Sequence, residues 1–208
     1  MVENRFDTVA TDWDKDKRRL ELANAISAHL ALLPLHVGMR AMEYGCGTGL
    51  VGLNLANRLA SLVAADSSSG MLEIIKAKIV EMGIKNVFPC LLDLHHDDCD
   101  QDFDLIFSAM TLHHLSDIDV ILLKFFQCLK PGGILAIADL DEEDGSFHQD
   151  NPEGVMHRGF NREKLAGDIR KLGFFSVQVS TAHTILKKNS KGAEMPYSVF
   201  LMTAMKEK

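Results

Sequence analysis

The strongest constraint in this sequence is a rhythm. From Arg40 to Asp139, short apolar runs alternate with longer stretches whose apolar residues recur every three or four positions. Arg40 to Tyr44 reads as a buried strand, Gly45 to Gly49 as a glycine turn and Leu50 to Ala60 as a helix. Leu62 to Asp66 is predicted as the second strand, followed by a helix whose Met71, Ile74, Ile75, Ile79 and Met82 share one face before Gly83 stops it. The third and fourth strands are predicted at Asn86 to Leu92 and Phe103 to Ser108. A helix from Asp117 to Leu129 is opened by Ser116 and closed by Pro131-Gly132-Gly133, and Ile134 to Asp139 is the fifth strand. Strands that alternate with helices require a parallel sheet covered on both faces and joined by right-handed crossovers. Ligands in such sheets bind just past the carboxyl ends of the strands, so those positions carry the chemistry.

Upstream, Leu22, Ile26, Leu30 and Leu33 mark an amphipathic helix from Leu20 to Leu33 that Pro34 ends. Met1 to Arg19 reads as a charged arm carrying Phe6 and the only tryptophan, Trp13. Downstream, Asn161 caps a helix to Leu172 with Gly173 at its end, and Phe174 to Ile185 and Tyr197 to Met205 form a terminal antiparallel pair. The 208 residues suit one domain, and no repeat or linker divides them. The expected organisation is a single domain over 1–208, with 1–35 as arm and helix and 36–208 as sheet and terminal hairpin.

Charge narrows the partners. Lys and Arg number 22 against 29 Asp and Glu, a formal net charge of -7, which opposes the basic footprint that phosphate neutralisation demands of a nucleic-acid binder. No apolar run reaches the roughly 20 residues of a membrane-spanning helix, and Met1 to Arg19 is too charged for a signal peptide. Cysteines at 46, 90, 99 and 128 form no C-x-x-C pair. A cytoplasmic location with reduced thiols is expected, as a monomer or homodimer.

The first strand runs into Glu43-Tyr44-Gly45-Cys46-Gly47-Thr48-Gly49. Gly45, Gly47 and Gly49 let the backbone turn sharply and let a ligand lie on it, with helix N–H groups beyond. A dinucleotide fingerprint begun at Gly45 fails at Leu50, although a frame from Gly47 through Gly49 to Gly52 fits, so the glycines alone leave the cofactor open. Glu43 favours a ligand with an ammonium group, since a carboxylate there would repel a pyrophosphate. Asp66, 21 residues after Gly45, is placed to accept from ribose hydroxyls. Asp93 follows the third strand as an acceptor for an adenine amine, with Leu92 and Leu94 beside it to pack the ring. Cys46 reads as a small spacer in the turn rather than a nucleophile.

These pieces, with Ser67 through Met71, Phe103 to Ser108 and Leu129-Lys130-Pro131-Gly132-Gly133, resemble the class I S-adenosylmethionine-dependent methyltransferases from about Phe6 onward. The resemblance implies an α/β, Rossmann-like, doubly wound seven-stranded sheet, mostly parallel with a reversed last strand. It implies S-adenosyl-L-methionine over the glycine turn, with Asp66 on the ribose and Asp93 near the adenine amine. The implied cofactor set is Glu43, Gly45, Cys46, Gly47, Gly49, Asp66, Ser67, Met71, Asp93, Leu94, Ser108 and Trp13. The chain is most similar to the small-molecule branch, whose N-terminal arm closes over the cofactor; Phe6, Trp13 and Arg18 sit in the corresponding arm here, where Trp13 is either a lid or a core plug.

Methyl transfer from a sulfonium needs alignment first and a base only where the acceptor holds a proton. After the fourth strand, Ser108-Ala109-Met110-Thr111-Leu112-His113-His114-Leu115 lacks the Asn or Asp, paired prolines and aromatic that grip nucleic-acid or glutamine amines in related enzymes. A small-molecule substrate is therefore expected. His113 and His114 are candidate proton acceptors beside the transferred methyl, or else structural imidazoles bonding backbone carbonyls. Asp139-Leu140-Asp141-Glu142-Glu143-Asp144 with His148 and His157 could hold a divalent cation or a cationic substrate, or be a solvated loop. No metal is expected; Asp139, His148 and His157 are assigned to the substrate site, and His113, His114, His148 and His157 to catalysis. The alternatives are an NAD(P)-dependent oxidoreductase using Asp66 and the glycines, or a catalytically silent cofactor-binding subunit on the same fold.

Overall fold

The structure is a computed structural model that describes residues 5–99, 102–150, 152–189 and 192–207. Residues 1–4 of the expected arm lie outside that set. In chain order the elements are α1 (Arg5–Val9), a 3-10 turn (Ala10–Lys15), α2 (Lys17–Leu30), β1 (Arg40–Tyr44), α3 (Gly52–Leu55), β2 (Ser61–Asp66) and α4 (Ser69–Glu81). They continue with β3 (Val87–Leu91), β4 (Phe103–Ala109), a 3-10 turn (Leu112–His114), α5 (Ile118–Cys128), β5 (Leu129–Leu140), α6 (Arg162–Lys171), β6 (Phe174–Lys188) and β7 (Glu194–Lys206).

The seven strands form one sheet in the order β3-β2-β1-β4-β5-β7-β6. All neighbours pair in parallel except β7, which is antiparallel to both β5 and β6. The expected doubly wound sheet with a reversed last strand is therefore the observed one. Strand order reverses between β1 and β4, so the crevice in which such sheets take ligands opens above those two ends.

The pleat sends alternate side chains to two separate apolar layers. On β1, Ala41 joins the layer under α2, α3 and α4, while Met42 and Tyr44 join the one under α5 and α6. On β5, Ile134, Ala136, Ala138 and Leu140 face the first layer and Leu135 and Ile137 the second. α5 follows from its spacing: Ile121, Leu122 and Phe125 are buried on one face, and Phe125 meets the Tyr44 ring edge-on at 5.5 Å. A fully buried Phe of this kind contributes about 1.5–3 kcal/mol by burial.

Several boundaries differ from expectation. Asp117, not Ser116, caps α5 by accepting the Val120 N–H. That helix ends at Cys128, because Leu129 is already paired with Phe103 in the sheet. Pro131-Gly132-Gly133 lies within β5, where Gly132 has φ +79 and the pairing to β4 shifts register. The helix expected from Leu50 to Ala60 is only α3 and a 3-10 turn over Ala56–Arg58, since Ala60 N–H already returns to the Met39 carbonyl. The helix expected from Leu20 to Leu33 begins earlier, at Lys17 within the expected arm, where Asp16 caps it, and ends at Leu30.

Candidate active site

The site is built on the turn after β1. Gly45, Gly47 and Gly49 have φ of 75, 51 and 82, a region that side chains disfavour. A Cβ on Gly45 would lie 2.2 Å from Thr111 Oγ1, whereas one on Gly47 would meet nothing within 4 Å and would point into open space. Gly45 and Cys46 N–H groups donate to the Ala65 carbonyl, tying the turn to β2. Asp66 completes the tie: its Oδ2 accepts the Gly47 N–H at 2.7 Å and its Oδ1 the Ser68 N–H at 2.8 Å. Ser68, not Asp66, caps α4, accepting the Met71 N–H. Burial raises the Asp66 carboxyl above its usual range, opposed by those backbone N–H groups.

Above this turn lies a cavity of about 360 Å³, within the roughly 300–1,000 Å³ of small-molecule sites. Its walls include Glu43 through Thr48, Asp66, Ser67, Met71 and Trp13, so most of the expected cofactor set converges. Glu43 is 2% exposed, and its Oε2 has no hydrogen-bond partner. Burial pushes its carboxyl well above the usual range, opposed by the Gly52 N–H. Gly52 is required here: a Cβ on it would sit 2.1 Å from Glu43 Oε2. Cys46 is buried, and that burial raises its thiol well above the ordinary value, which suits a spacer and not a nucleophile.

Four expected cofactor residues do not line this cavity, the first of them Gly49, which packs under the turn, where a Cβ would lie 2.6 Å from Ile75 Cδ1. Asp93 turns its carboxylate back to the His95 N–H, within the bend that follows β3. Leu94 is fully buried, and its N–H donates to the Tyr44 hydroxyl. Ser108 is buried with its hydroxyl donating to the Tyr44 carbonyl, a brace between β1 and β4.

The arm closes over the opening through contacts that sequence reading missed. Asp7 accepts from Ser68 Oγ and Gly70 N–H, both at 2.7 Å, locking α1 onto the start of α4. Asp14 accepts from Thr48 Oγ1 at 2.6 Å and pairs with Lys78. Trp13 is held between Phe6, edge-on at 5.9 Å, and the Arg19 guanidinium, 3.7 Å over its ring. Isolated charges in a charged segment carry no signature that would single these out.

A second cavity of about 390 Å³ shares Arg5, Trp13, Arg19, Leu22, Met110 and His114 with the first. Met110 has φ 56, rare for a side-chain-bearing residue, and is held there as its N–H donates to the Ala138 carbonyl. Arg5 Nη1 is buried without a hydrogen-bond partner. His113, His114 and His148 all line this second cavity.

His113 is 1% exposed, and its Nδ1 lies 2.6 Å from Asp139 Oδ1. A carboxylate only accepts, so Nδ1 carries the proton and Nε2 is the acceptor nitrogen. The His114 Nδ1 likewise donates to the Gly154 carbonyl at 2.8 Å. Burial, then the neighbouring His113, lowers His114 to about 3 and His148 to about 4. Burial would raise Asp139, but the adjacent His113 imidazole overrides it and holds the carboxyl below its usual range.

The acidic run does not converge. Asp139 is buried behind His113, Asp141 forks onto Arg162 at 2.6 and 2.7 Å, Glu143 accepts from Gly145 and Phe147 N–H, and Asp144 from Ser146 N–H. Each carboxylate is committed to its own partner, the Glu143 and Asp144 bonds being local turns, so the run is not a cation cage. His157 lines neither cavity: its Nε2 donates to the Leu115 carbonyl at 2.9 Å and its N–H to the His113 carbonyl. Of the four catalytic candidates, three meet and His157 supports the turn behind them.

Comparison with known proteins follows the same line. A family model described as a methyltransferase domain matches residues 35–190. The chain is 31% identical over 136 residues to an uncharacterized methyltransferase of Schizosaccharomyces pombe, covering 59% of this chain and 48% of that protein. It is 31% identical over 104 residues to a ubiquinone biosynthesis O-methyltransferase of a Chelativorans species, covering 50% of this chain and 41% of that one. The chain thus spans about half or less of the length of these relatives. A solved structure of Haemonchus contortus phosphoethanolamine N-methyltransferase 2 with S-adenosyl-L-methionine superposes with a TM-score of 0.72 at 16% identity, covering 89% of this chain and 52% of that one. These matches favour methyl transfer over the nicotinamide alternative. Among the described residues, no helix is long and apolar enough to cross a membrane.

Proposed function

The chain belongs to the methyltransferase domain family, on the class I S-adenosylmethionine-dependent fold, and from that premise we propose that it methylates a small molecule held in the second cavity. The observation that carries this reading is the meeting of two cavities, one over the glycine turn and one over the histidines, across a wall that includes Met110 and His114. A donor and an acceptor in adjoining chambers are what in-line methyl transfer needs.

The residues present fit S-adenosylmethionine. Buried Glu43 Oε2 has an open acceptor position suited to the ammonium group. Gly47 presents bare backbone to the cavity, and the Asp66 carboxylate lines the same cavity, where it is placed to accept from a ribose hydroxyl beyond the backbone N–H groups of Gly47, Ser67 and Ser68. Trp13 and Phe6 of the arm cover the opening and exclude water. When bound, S-adenosylmethionine supplies a methyl group on a sulfonium, a good leaving group, so alignment is the protein's main contribution.

On the acceptor side, His113 and His114 are both fixed by their Nδ1 bonds with Nε2 as the proton-accepting nitrogen. Of the two, His113 with its carboxylate partner is the one suited to take a proton from an acceptor hydroxyl or amine, because the burial that lowers His114 to about 3 leaves that ring a weak base. The buried, unpartnered Arg5 Nη1 at the shared wall suits an acceptor with an anionic or carbonyl oxygen. A small molecule with an oxygen or nitrogen nucleophile fits this lining better than a nucleic acid, given the net charge of -7.

Incubation with methyl-labelled cofactor and a fractionated metabolite extract tests the reading, with the labelled product identified by mass. Label in a small molecule supports it. Calorimetric binding of NAD with no binding of S-adenosylhomocysteine would overturn it.

A further inference from the structure

We propose that His113, His114 and His148 form a binding site for one divalent transition metal ion, of the zinc or cobalt class, at the wall of the second cavity. His113 and His114 come from the turn after β4, and His148 from the segment that follows β5. Their ring centroids are 4.0 Å (His113–His114), 5.0 Å (His113–His148) and 5.6 Å (His114–His148) apart. One ring nitrogen from each can be chosen so that all three lie within 4.8 Å of one another. Tetrahedral coordination at about 2.0–2.1 Å would draw these nitrogens closer together.

The surroundings of the rings point to ligation rather than plain packing. Metal-bound imidazoles almost always donate the other ring N–H to a carboxylate or backbone carbonyl, which fixes ring and tautomer. Here the His113 Nδ1 is held by Asp139 at 2.6 Å, with the Asp139 carboxylate also taking the Leu140 N–H at 2.7 Å, and the His114 Nδ1 by the Gly154 carbonyl at 2.8 Å. Both rings therefore present Nε2 in the ligating form. Three imidazoles with no carboxylate among them favour zinc, cobalt or nickel over magnesium or calcium, which require oxygen. Because the three rings line the cavity, a fourth coordination position faces the space assigned to the acceptor.

The charges facing the cluster set its limits. Arg5, Arg18, Arg19 and Lys187 line the same cavity and oppose a cation, while Asp16, Asp150 and Glu153 line it with the opposite charge. Lys187 is compensated, pairing with Asp150 at 3.1 Å and donating to the Phe147 carbonyl. Buried Asp139 supplies negative charge directly behind His113. Arg5 would then act with the metal on an anionic fourth ligand. With the ion bound, the histidine nitrogens no longer serve as bases; an acceptor hydroxyl bound to the metal would be acidified and would release its proton to solvent water. Metal binding is measured without cofactor or acceptor, so its failure is distinct from a failure of methyl transfer.

The experiment is titration of the untagged, chelator-stripped full chain with Co²⁺, read by its visible d–d bands, and with Zn²⁺ by competition against a chromogenic chelator. The expected result is one equivalent bound with saturation. Both His148→Ala and His148→Gln should weaken binding at least about tenfold, and Asp139→Asn by about 10–100-fold, the scale of outer-shell effects. His96→Ala, an exposed control, should bind as the parent does. Folding of each variant is checked by circular dichroism. Absence of saturable binding in the parent, or parental affinity in both folded His148 variants, would overturn the proposal. Should neither His148 variant fold, an Asp139→Asn variant with parental affinity would do so.

Discussion

Asp66 Oδ2 accepts the Gly47 N–H at 2.7 Å, so the carboxylate that ends β2 also fixes the turn that follows β1. The same side chain lines the first cavity, where it is 9% exposed. Structure and ligand recognition are joined in one residue. Asp66→Ala is expected to weaken cofactor binding by about 1.5–3 kcal/mol, the scale of hydrogen bonds to a charged group. Asp93→Ala should change it far less, because Asp93 serves the His95 N–H and lies off the cavity. Calorimetry with S-adenosylhomocysteine compares the two, and equal losses would contradict the assignment.

Glu43 offers a test through protons. Burial raises its carboxyl well above the ordinary 4.5, so the folded protein holds that proton over a pH range in which the unfolded chain has lost it. Stability linked to Glu43 is therefore complete below about 4.5 and declines as pH rises through the higher folded value. Glu43→Gln should raise the melting temperature of the ligand-free protein slightly at neutral pH while weakening cofactor binding. An ammonium group beside the carboxylate favours its ionised form, so binding should release a proton. Calorimetry in buffers of different ionisation enthalpy measures that release, and Glu43→Gln should abolish it. A lower melting temperature with unchanged affinity would remove Glu43 from the ligand site.

The glycine turn separates packing from recognition within three residues. Gly45→Ala drives a Cβ to within 2.2 Å of the Thr111 hydroxyl, so it should lower thermal stability markedly. Gly47→Ala meets only open space, and its backbone cost is about 1–2 kcal/mol for a left-handed residue. Its methyl group would occupy the cradle. Gly47→Ala should therefore stay folded but lose most cofactor affinity, as melting curves and binding titrations on both variants would reveal.

What was legible in the sequence followed from periodicity and from residues placed at strand ends. The strand–helix alternation specified the sheet, and Glu43, Asp66, Gly45 and Gly47 reached the first cavity because their positions depend on local chain direction alone. Asp93 and Ser108 lie off the first cavity, since a strand-end position does not say where the side chain bonds: one turns back to the His95 N–H, the other braces Tyr44. The arm was opaque because Asp7 and Asp14 gain meaning only from Ser68, Gly70, Thr48 and Lys78, dozens of residues away. The same holds for His148, which meets His113 only once the segment after β5 folds back across the cavity. His157 looked equivalent in sequence, yet its ring is committed to the Leu115 carbonyl.

Asp139 separates a positioning role from a merely structural one. It is fully buried and accepts from His113 Nδ1, the His113 backbone N–H and the Leu140 N–H. Asp139→Ala strands all three donors, and loss of one partner of a buried charged pair typically costs about 3–5 kcal/mol, measurable by urea unfolding. Asp139→Asn keeps the shape but turns an NH₂ group against a backbone donor, so some stability should go with it. If Asp139 only packs, turnover in the folded Asn variant should recover at temperatures well below its melting point. If it holds the His113 ring with Nε2 toward the acceptor, kcat should stay depressed there while cofactor affinity matches the parent, since Asp139 lines neither wall of the first cavity. Recovery of kcat at low temperature would leave His113 without a positioned role.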